Sequence, residues 1–169
     1  MKTQLCNFCL RSGILCSKCD GQVKSGKISS TYLKIARLLL SLEEKYPPLQ
    51  SVSFQNAVEA DGVLALIVGR GDVARLLGYG GKIIRAIGEE TGKRIRILED
   101  GVDNRKFLED LFAPISIMTI NTIWLPDGTI ETSVILRKRG YRPPPINVDA
   151  MKQIAKKVRN IVLRIEFSR

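Results

Sequence analysis

Apolar and polar positions along the chain change period several times, and each change marks a predicted element. Tyr32, Ile35, Leu39, Leu42 and Tyr46 recur at three- to four-residue steps. That spacing predicts an amphipathic helix, capped by Ser29 or Ser30 and ended by Pro47-Pro48. Residues 50–59 and 63–68 then read as strands joined by an Asp61-Gly62 turn. The second run, VLALIV, is apolar at every position, so it predicts a central strand covered on both faces. Val73, Leu76 and Leu77 fall at i, i+3, i+4, and Ile83, Ile84 and Ile87 repeat that spacing. Two short helices are therefore expected on either side of Gly78-Tyr79-Gly80-Gly81. Thr91-Gly92 stops the second helix, and residues 93–98 alternate basic with apolar side chains, as a half-buried strand does.

The plan recurs at an offset of roughly 65 to 70 residues. Residues 104–112 predict a short helix stopped by Pro114. Residues 115–125 and 129–137 predict strands joined by Pro126-Asp127-Gly128. Residues 148–160 predict a helix with Met151, Ile154, Ala155 and Val158 inward, and residues 161–167 a closing strand. One piece is missing. Where the first unit has its glycine turn, residues 138–147 carry three consecutive prolines and no Gly-x-x-Gly.

Composition narrows the partners. A chain of 169 residues with 44% apolar content has room for one to two small domains and a core. Its net charge of +10 and pI near 9.7 favour a polyanion, a nucleic acid ahead of a membrane surface, and no membrane partner is expected. There is no run of about 18 apolar residues and no charged-then-apolar leader, so a soluble, cytoplasmic protein is expected. No histidine is present, which removes the commonest general base. No paired catalytic carboxylates are recognisable either, and an enzyme is not expected. A monomer is.

The glycine turn suits phosphate. Glycines let a sugar-phosphate backbone approach the peptide closely, and the amides opening the next helix point at it with the positive end of the helix dipole behind them. Lys82 and Arg85 on the first turn of that helix add charge, and Lys93, Arg94 and Arg96 extend it along the following strand. Leu77, Gly78, Gly81 and Ile84 occupy the fixed positions of I-G-x-x-G-x-x-I, so the stretch resembles the KH family of RNA-binding domains. The order helix, strand, strand, helix, Gly-x-x-Gly, helix, strand looks like the type II arrangement of that domain. The alternative is a glycine-capped turn between two packed helices.

The first 25 residues read as a unit of their own. Cys6, Cys9, Cys16 and Cys19 form two C-x-x-C pairs six residues apart and account for every cysteine. Two intervening residues let both sulfurs of a pair turn toward one ion, and Gly13 and Gly21 after the pairs suggest tight turns with positive φ. With no imidazole available the site would be four-thiolate, closed and structural, with one zinc per chain as the expected ion. An iron-sulfur cluster, two disulfides or a dithiol redox pair are the alternatives. Residues 20–28 read as a linker.

Two KH-like units in tandem, with Leu-Phe-Ala-Pro after the first, resemble the archaeal NusA-like transcription factors over about residues 30–167. The expected fold class is α+β: a small zinc-binding module (1–25), a type II KH domain (29–100) and a degenerate second KH-like unit (104–169). The resemblance implies binding of single-stranded RNA in transcription elongation or termination, beside RNA polymerase. The lost second Gly-x-x-Gly departs from the family. In its place Arg137, Lys138, Arg139 and Arg142, interleaved with Tyr141, combine charge with a stacking ring and suggest a second RNA contact. Lys152, Lys156, Lys157 and Arg159 on the last helix are either another such surface or a solvated face. Trp124 reads equally as a core edge or a base-stacking platform. The competing functional reading is an adaptor whose zinc module docks on RNA polymerase or ribosome, with the KH units as scaffold.

Overall fold

The computed structural model describes residues 1–138, 140 and 146–169. Two short helices, α1 (Asn7–Ser12) and α2 (Ser17–Lys24), carry the four cysteines. The stretch expected to be a linker is mostly helix. Lys24 reaches back one turn to Asp20 at 2.6 Å, and Gly21 lies inside α2, so only Gly13 has the positive φ expected of both glycines (+77°).

Helix α3 (Ser30–Leu42) is capped by Ser29, whose Oγ accepts from the Tyr32 amide at 3.0 Å. It stops at Leu42, before the apolar stripe ends, and Tyr46 is buried from the following loop. A 3-10 turn over Pro47–Ser51 then delays the first strand, β1, to Phe54–Ala60. Asp61 and Gly62, both at positive φ, reverse the chain into β2 (Val63–Val68). Helices α4 (Val73–Leu77) and α5 (Lys82–Thr91) flank the glycine turn, and β3 (Arg94–Glu99) pairs parallel to β2 while β1 pairs antiparallel to it. The sheet order β1-β2-β3 puts VLALIV in the middle.

The second unit repeats the sheet. Helix α6 (Asn104–Phe112) is capped by Asp103, and strands β4 (Ile117–Trp124), β5 (Ile130–Leu136) and β6 (Leu163–Phe167) follow the order β4-β5-β6. Again the hairpin is antiparallel and the last pair parallel. Helix α7 (Val148–Arg159) is capped by Asn147 and ended by Asn160 at φ +54°. The fold is thus α+β with two KH-like sheets.

Two cores hold it together, and β2 belongs to both. Leu64, Leu66 and Val68 face α3 and α5, while Val63, Ala65 and Ile67 face α6 and α7. The second unit's helices lie between the two sheets, with Phe107, Leu111, Met151 and Ile154 buried against Val134 and Leu136 of β5. Both faces of β2 are dry, which is why it has no polar position. The cysteine module merges into the first core. Cys9, Cys19, Leu5 and Leu10 are buried with α3, the Tyr32 hydroxyl accepts from the Gln4 amide at 2.8 Å, and residue 2 bridges Ser53.

Candidate nucleic-acid interface and metal centre

Ile83 and Ile87 on α5 are fully buried, each contributing about 1.5–3 kcal/mol of burial that fixes the helix against the sheet. That anchoring presents the start of α5 to solvent. Tyr79, Gly80 and Gly81 lie consecutively in the left-handed region at φ 56°, 62° and 76°. The two framing glycines serve different needs. A Cβ on Gly78 would meet the Arg75 carbonyl oxygen at 3.2 Å, whereas Gly81 has open space but a backbone that favours glycine. No side chain caps α5, so its opening amides have no side-chain acceptor. Lys82 and Arg85 stand exposed on its first turn. The arrangement can hold a phosphate oxygen against an uncapped helix start.

Aromatic and apolar side chains border this turn. Tyr79 and Leu77 are half exposed, at 51% and 55%, and Ile84 is half buried. Leu77 was expected to be inward by its spacing from Val73, but α4 ends there and its side chain points to water. A buried carboxylate supports the turn from behind. Asp72 accepts from the Ser53 amide at 2.8 Å and pairs with Arg75, joining the start of α4 to the entry of β1. Gly69 allows this, because a Cβ there would lie 2.8 Å from Asp72 Oδ2. Neither Asp72 nor Tyr46, whose ring meets that of Tyr79 edge to face, was legible as part of the site, since nothing in their local sequence points to the turn.

The sulfurs of Cys6, Cys9, Cys16 and Cys19 all lie within 4.8 Å of one another. Cys19 and Cys6 are 3.7 Å apart, close to the edge of about 3.8 Å that a tetrahedron of ~2.3 Å zinc-sulfur bonds requires, whereas Cys6 and Cys9, at 3.0 Å, would have to spread to reach it. The Cys16 amide donates to Cys9 Sγ at 3.1 Å. Cys6 and Cys16 are exposed and Cys9 and Cys19 buried, and the hydrogen bonds among them lead the shifts in their proton affinities. The Cys9 side chain holds the Cys6 thiol below its ordinary value, and the Cys19 amide, with the Cys9 sulfur, brings Cys16 down to about 7. Cys9 is pushed up to about 12 by its hydrogen bond with Cys6. Cys19 is drawn down by the Cys6 amide but raised more by burial and the sulfurs of Cys16 and Cys6. The cluster is able to hold one metal ion.

Comparison with known proteins places the chain among archaeal relatives. Over 96 residues it is 31% identical to the probable transcription termination protein NusA of Methanocaldococcus jannaschii, covering 54% of this chain and 51% of that protein. Over 78 residues it is 27% identical to the protein of the same description from Methanococcus vannielii, covering 46% and 43%. Over these stretches the chain is similar to both proteins. The match spans about half the length of these relatives or less. The crystal structure of APE1850 superposes with a TM-score of 0.54 at 18% identity, over 79% of this chain and 96% of that one, and shares its fold. No protein-family profile matches.

Not every basic residue expected to meet RNA lies beside the glycine turn. Ile95 and Ile97 pack on the α5 side of the first sheet and Leu98 on the other, so the alternation carries Arg94 and Arg96 to the face turned toward the second unit. Arg96 donates to the Ala113 carbonyl, and burial pulls its guanidinium below the ordinary arginine range, with Arg94 adding to the effect. Lys93 is paired with Glu59. On α7, Arg159 stacks over Phe107 with its guanidinium carbon 4.7 Å from the ring centre and donates to the Val102 carbonyl at 2.6 Å. Lys157 donates to the Glu59 carbonyl at 2.9 Å. Arg137 and Lys138 are exposed just beyond β5, while Arg139, Tyr141 and Arg142 fall outside the described residues. Trp124, 73% exposed, is not a core edge. Among the described residues no helix is long and apolar enough to cross a membrane.

Proposed function

We propose that this protein binds single-stranded RNA through the Gly78–Gly81 turn and works as a NusA-like factor in transcription elongation or termination, beside RNA polymerase. The observation that carries the reading is the uncapped start of α5, reached through three left-handed residues and flanked by Lys82 and Arg85. Amides and the helix dipole hold the phosphates, the two cations neutralise them, and Leu77, Tyr79 and Ile84 offer surfaces on which a base can rest. A zinc ion on Cys6, Cys9, Cys16 and Cys19 serves structure: it would tie α1 to α2 and both to the first core. Arg137, Lys138, Arg139 and Arg142, with Tyr141, add affinity from the second unit without reading sequence.

Replacing Tyr79 and Gly80 together with aspartate tests the cradle. Both positions lie in the left-handed region, which aspartate tolerates, and a Cβ on Gly80 meets nothing within 4 Å. Affinity for single-stranded RNA should fall tenfold or more, about 1.4 kcal/mol, with the melting temperature unchanged. A folded double variant with undiminished affinity would remove RNA binding from this turn.

One observation favours a second reading. Phe8 and Ile14, on and just after α1, are 74% and 73% exposed. Large apolar side chains this open on the metal module suit an adaptor that docks the module on RNA polymerase or ribosome. Changing both to serine would then abolish capture of that partner while leaving RNA affinity intact.

A further inference from the structure

The cations around the glycine turn do not all come from α5. Lys45 stands exposed in the loop that follows α3, with its ammonium 5.5 Å from the centre of the Tyr46 ring. That same ring meets Tyr79 of the turn edge to face. One aromatic side chain therefore touches both Lys45 and the turn. We propose that Lys45 is a phosphate contact on a second wall of the site, so that a bound RNA strand runs from the turn across Tyr79 to the loop after α3. This contact presupposes RNA at the turn, and it lengthens the site beyond the turn itself.

The loop is built to hold that charge still. The Tyr46 amide donates to the Leu42 carbonyl at 2.9 Å, and the Leu49 amide to the Tyr46 carbonyl at 3.0 Å. Pro47 and Pro48 between them fix their own φ. Tyr46, Leu49 and Val52 are buried in the same core as Leu76 of α4, which anchors the loop beside the turn. The fixed ring then restrains the ammonium through a cation–π contact. A lysine already ordered in this way loses less side-chain freedom on meeting a phosphate than one free in water.

Charge around the turn selects this path. Arg70 donates to the Gly101 carbonyl at 2.8 Å, and Arg75 pairs with Asp72, so both are engaged within the protein. Farther along α5, past Arg85, the exposed Glu89 and Glu90 would repel a phosphate backbone. Lys45 meets neither obstacle. Among the described residues no carboxylate pairs with it, its neighbour Glu44 included.

Oligouridylates of about four to twelve nucleotides, bound to the full zinc-loaded chain and read by fluorescence anisotropy, test this. Lys45→Met keeps an unbranched stem over Tyr46 and removes only the charge. It should leave the melting curve unchanged, and with it the affinity for the shortest RNA that binds. Longer RNAs should bind about threefold or more weakly, and their log affinity against log salt should flatten by about 0.7. Lys45→Arg, which keeps the charge and also stacks on a ring, should restore both. Unchanged binding by Lys45→Met at every length overturns the proposal. So does equal weakening at every length, which would mean that Lys45 acts only through the turn. The double aspartate variant of Tyr79 and Gly80, run alongside, separates the two readings. Affinity lost there while Lys45→Met is indifferent removes the second wall alone, whereas indifference of both removes RNA from this face altogether.

Discussion

Tyr46 and Tyr79 meet edge to face, with ring centroids 5.8 Å apart and planes at 65°. Tyr46 is buried behind α3, while Tyr79 is half exposed on the glycine turn, so the first is a fixed wall for the second. Such a pair is worth about 0.5–1.5 kcal/mol beyond its buried area. Tyr46→Leu should therefore cost RNA affinity roughly two- to tenfold, read by fluorescence anisotropy, because Tyr79 and its left-handed backbone lose their backing. Affinity within experimental error of the parent would show that Tyr79 is held by other means.

The basic residues should separate into two groups. Arg96→Ala removes the donor to the Ala113 carbonyl and should lower the melting temperature with RNA affinity changed less than about twofold. Lys82→Ala with Arg85→Ala should do the reverse. It should flatten log affinity against log salt by about 0.7 per lost phosphate contact, without loss of stability. A salt slope altered by Arg96→Ala would return that residue to the interface.

Asp72 is 4% exposed and satisfies the Ser53 amide. Asp72→Ala leaves that amide unpaired and frees Arg75, costing about 1–3 kcal/mol in urea unfolding. A loss near zero would mean that water replaces the carboxylate.

Metal binding should release protons in a pH-dependent number. All four sulfurs bind as thiolates. In the metal-free cluster Cys16 titrates at about 7 and Cys6 is also lowered, whereas Cys9, at about 12, and Cys19 are raised. Near pH 8 Cys16 has already lost its proton while Cys9 keeps its own, so fewer than four protons should leave per zinc, rising toward four near pH 6. Zinc affinity should therefore climb with pH, and more steeply on the acid side. Calorimetry in buffers of different ionisation enthalpy counts these protons, and a constant number would contradict the assignment. Elemental analysis should find about one zinc per chain; iron with labile sulfide would replace zinc by a cluster.

Elements whose pattern is set by their own residues were legible. The run Val63–Val68 is apolar throughout and is the doubly covered strand it implies, and Asn104–Phe112 is the helix its spacing predicts. Asp61-Gly62 is the turn its composition demands. Legibility failed where a distant partner decides. Residues 20–28 look like a linker, yet Cys16 starts a helix whose polar face is held by Lys24 and Asp20. Arg96 looks like a phosphate ligand because its acceptor, the carbonyl of Ala113, comes from the far end of the next helix. The first 25 residues look separate, but their apolar side chains enter the first core. Of the candidate site, the glycine turn and the four sulfurs were visible, and the supporting Asp72 and Tyr46 were not.

The helices between the two sheets have a consequence for anyone dissecting the chain. Cut after β3, the protein would expose Ala60, Val63, Ala65, Ile67 and Leu98 as a bare apolar slab. Such a fragment would clump, whatever the merit of its glycine turn. The glycine turn therefore travels with its second unit as backing, and a graft into a foreign host would have to transplant both.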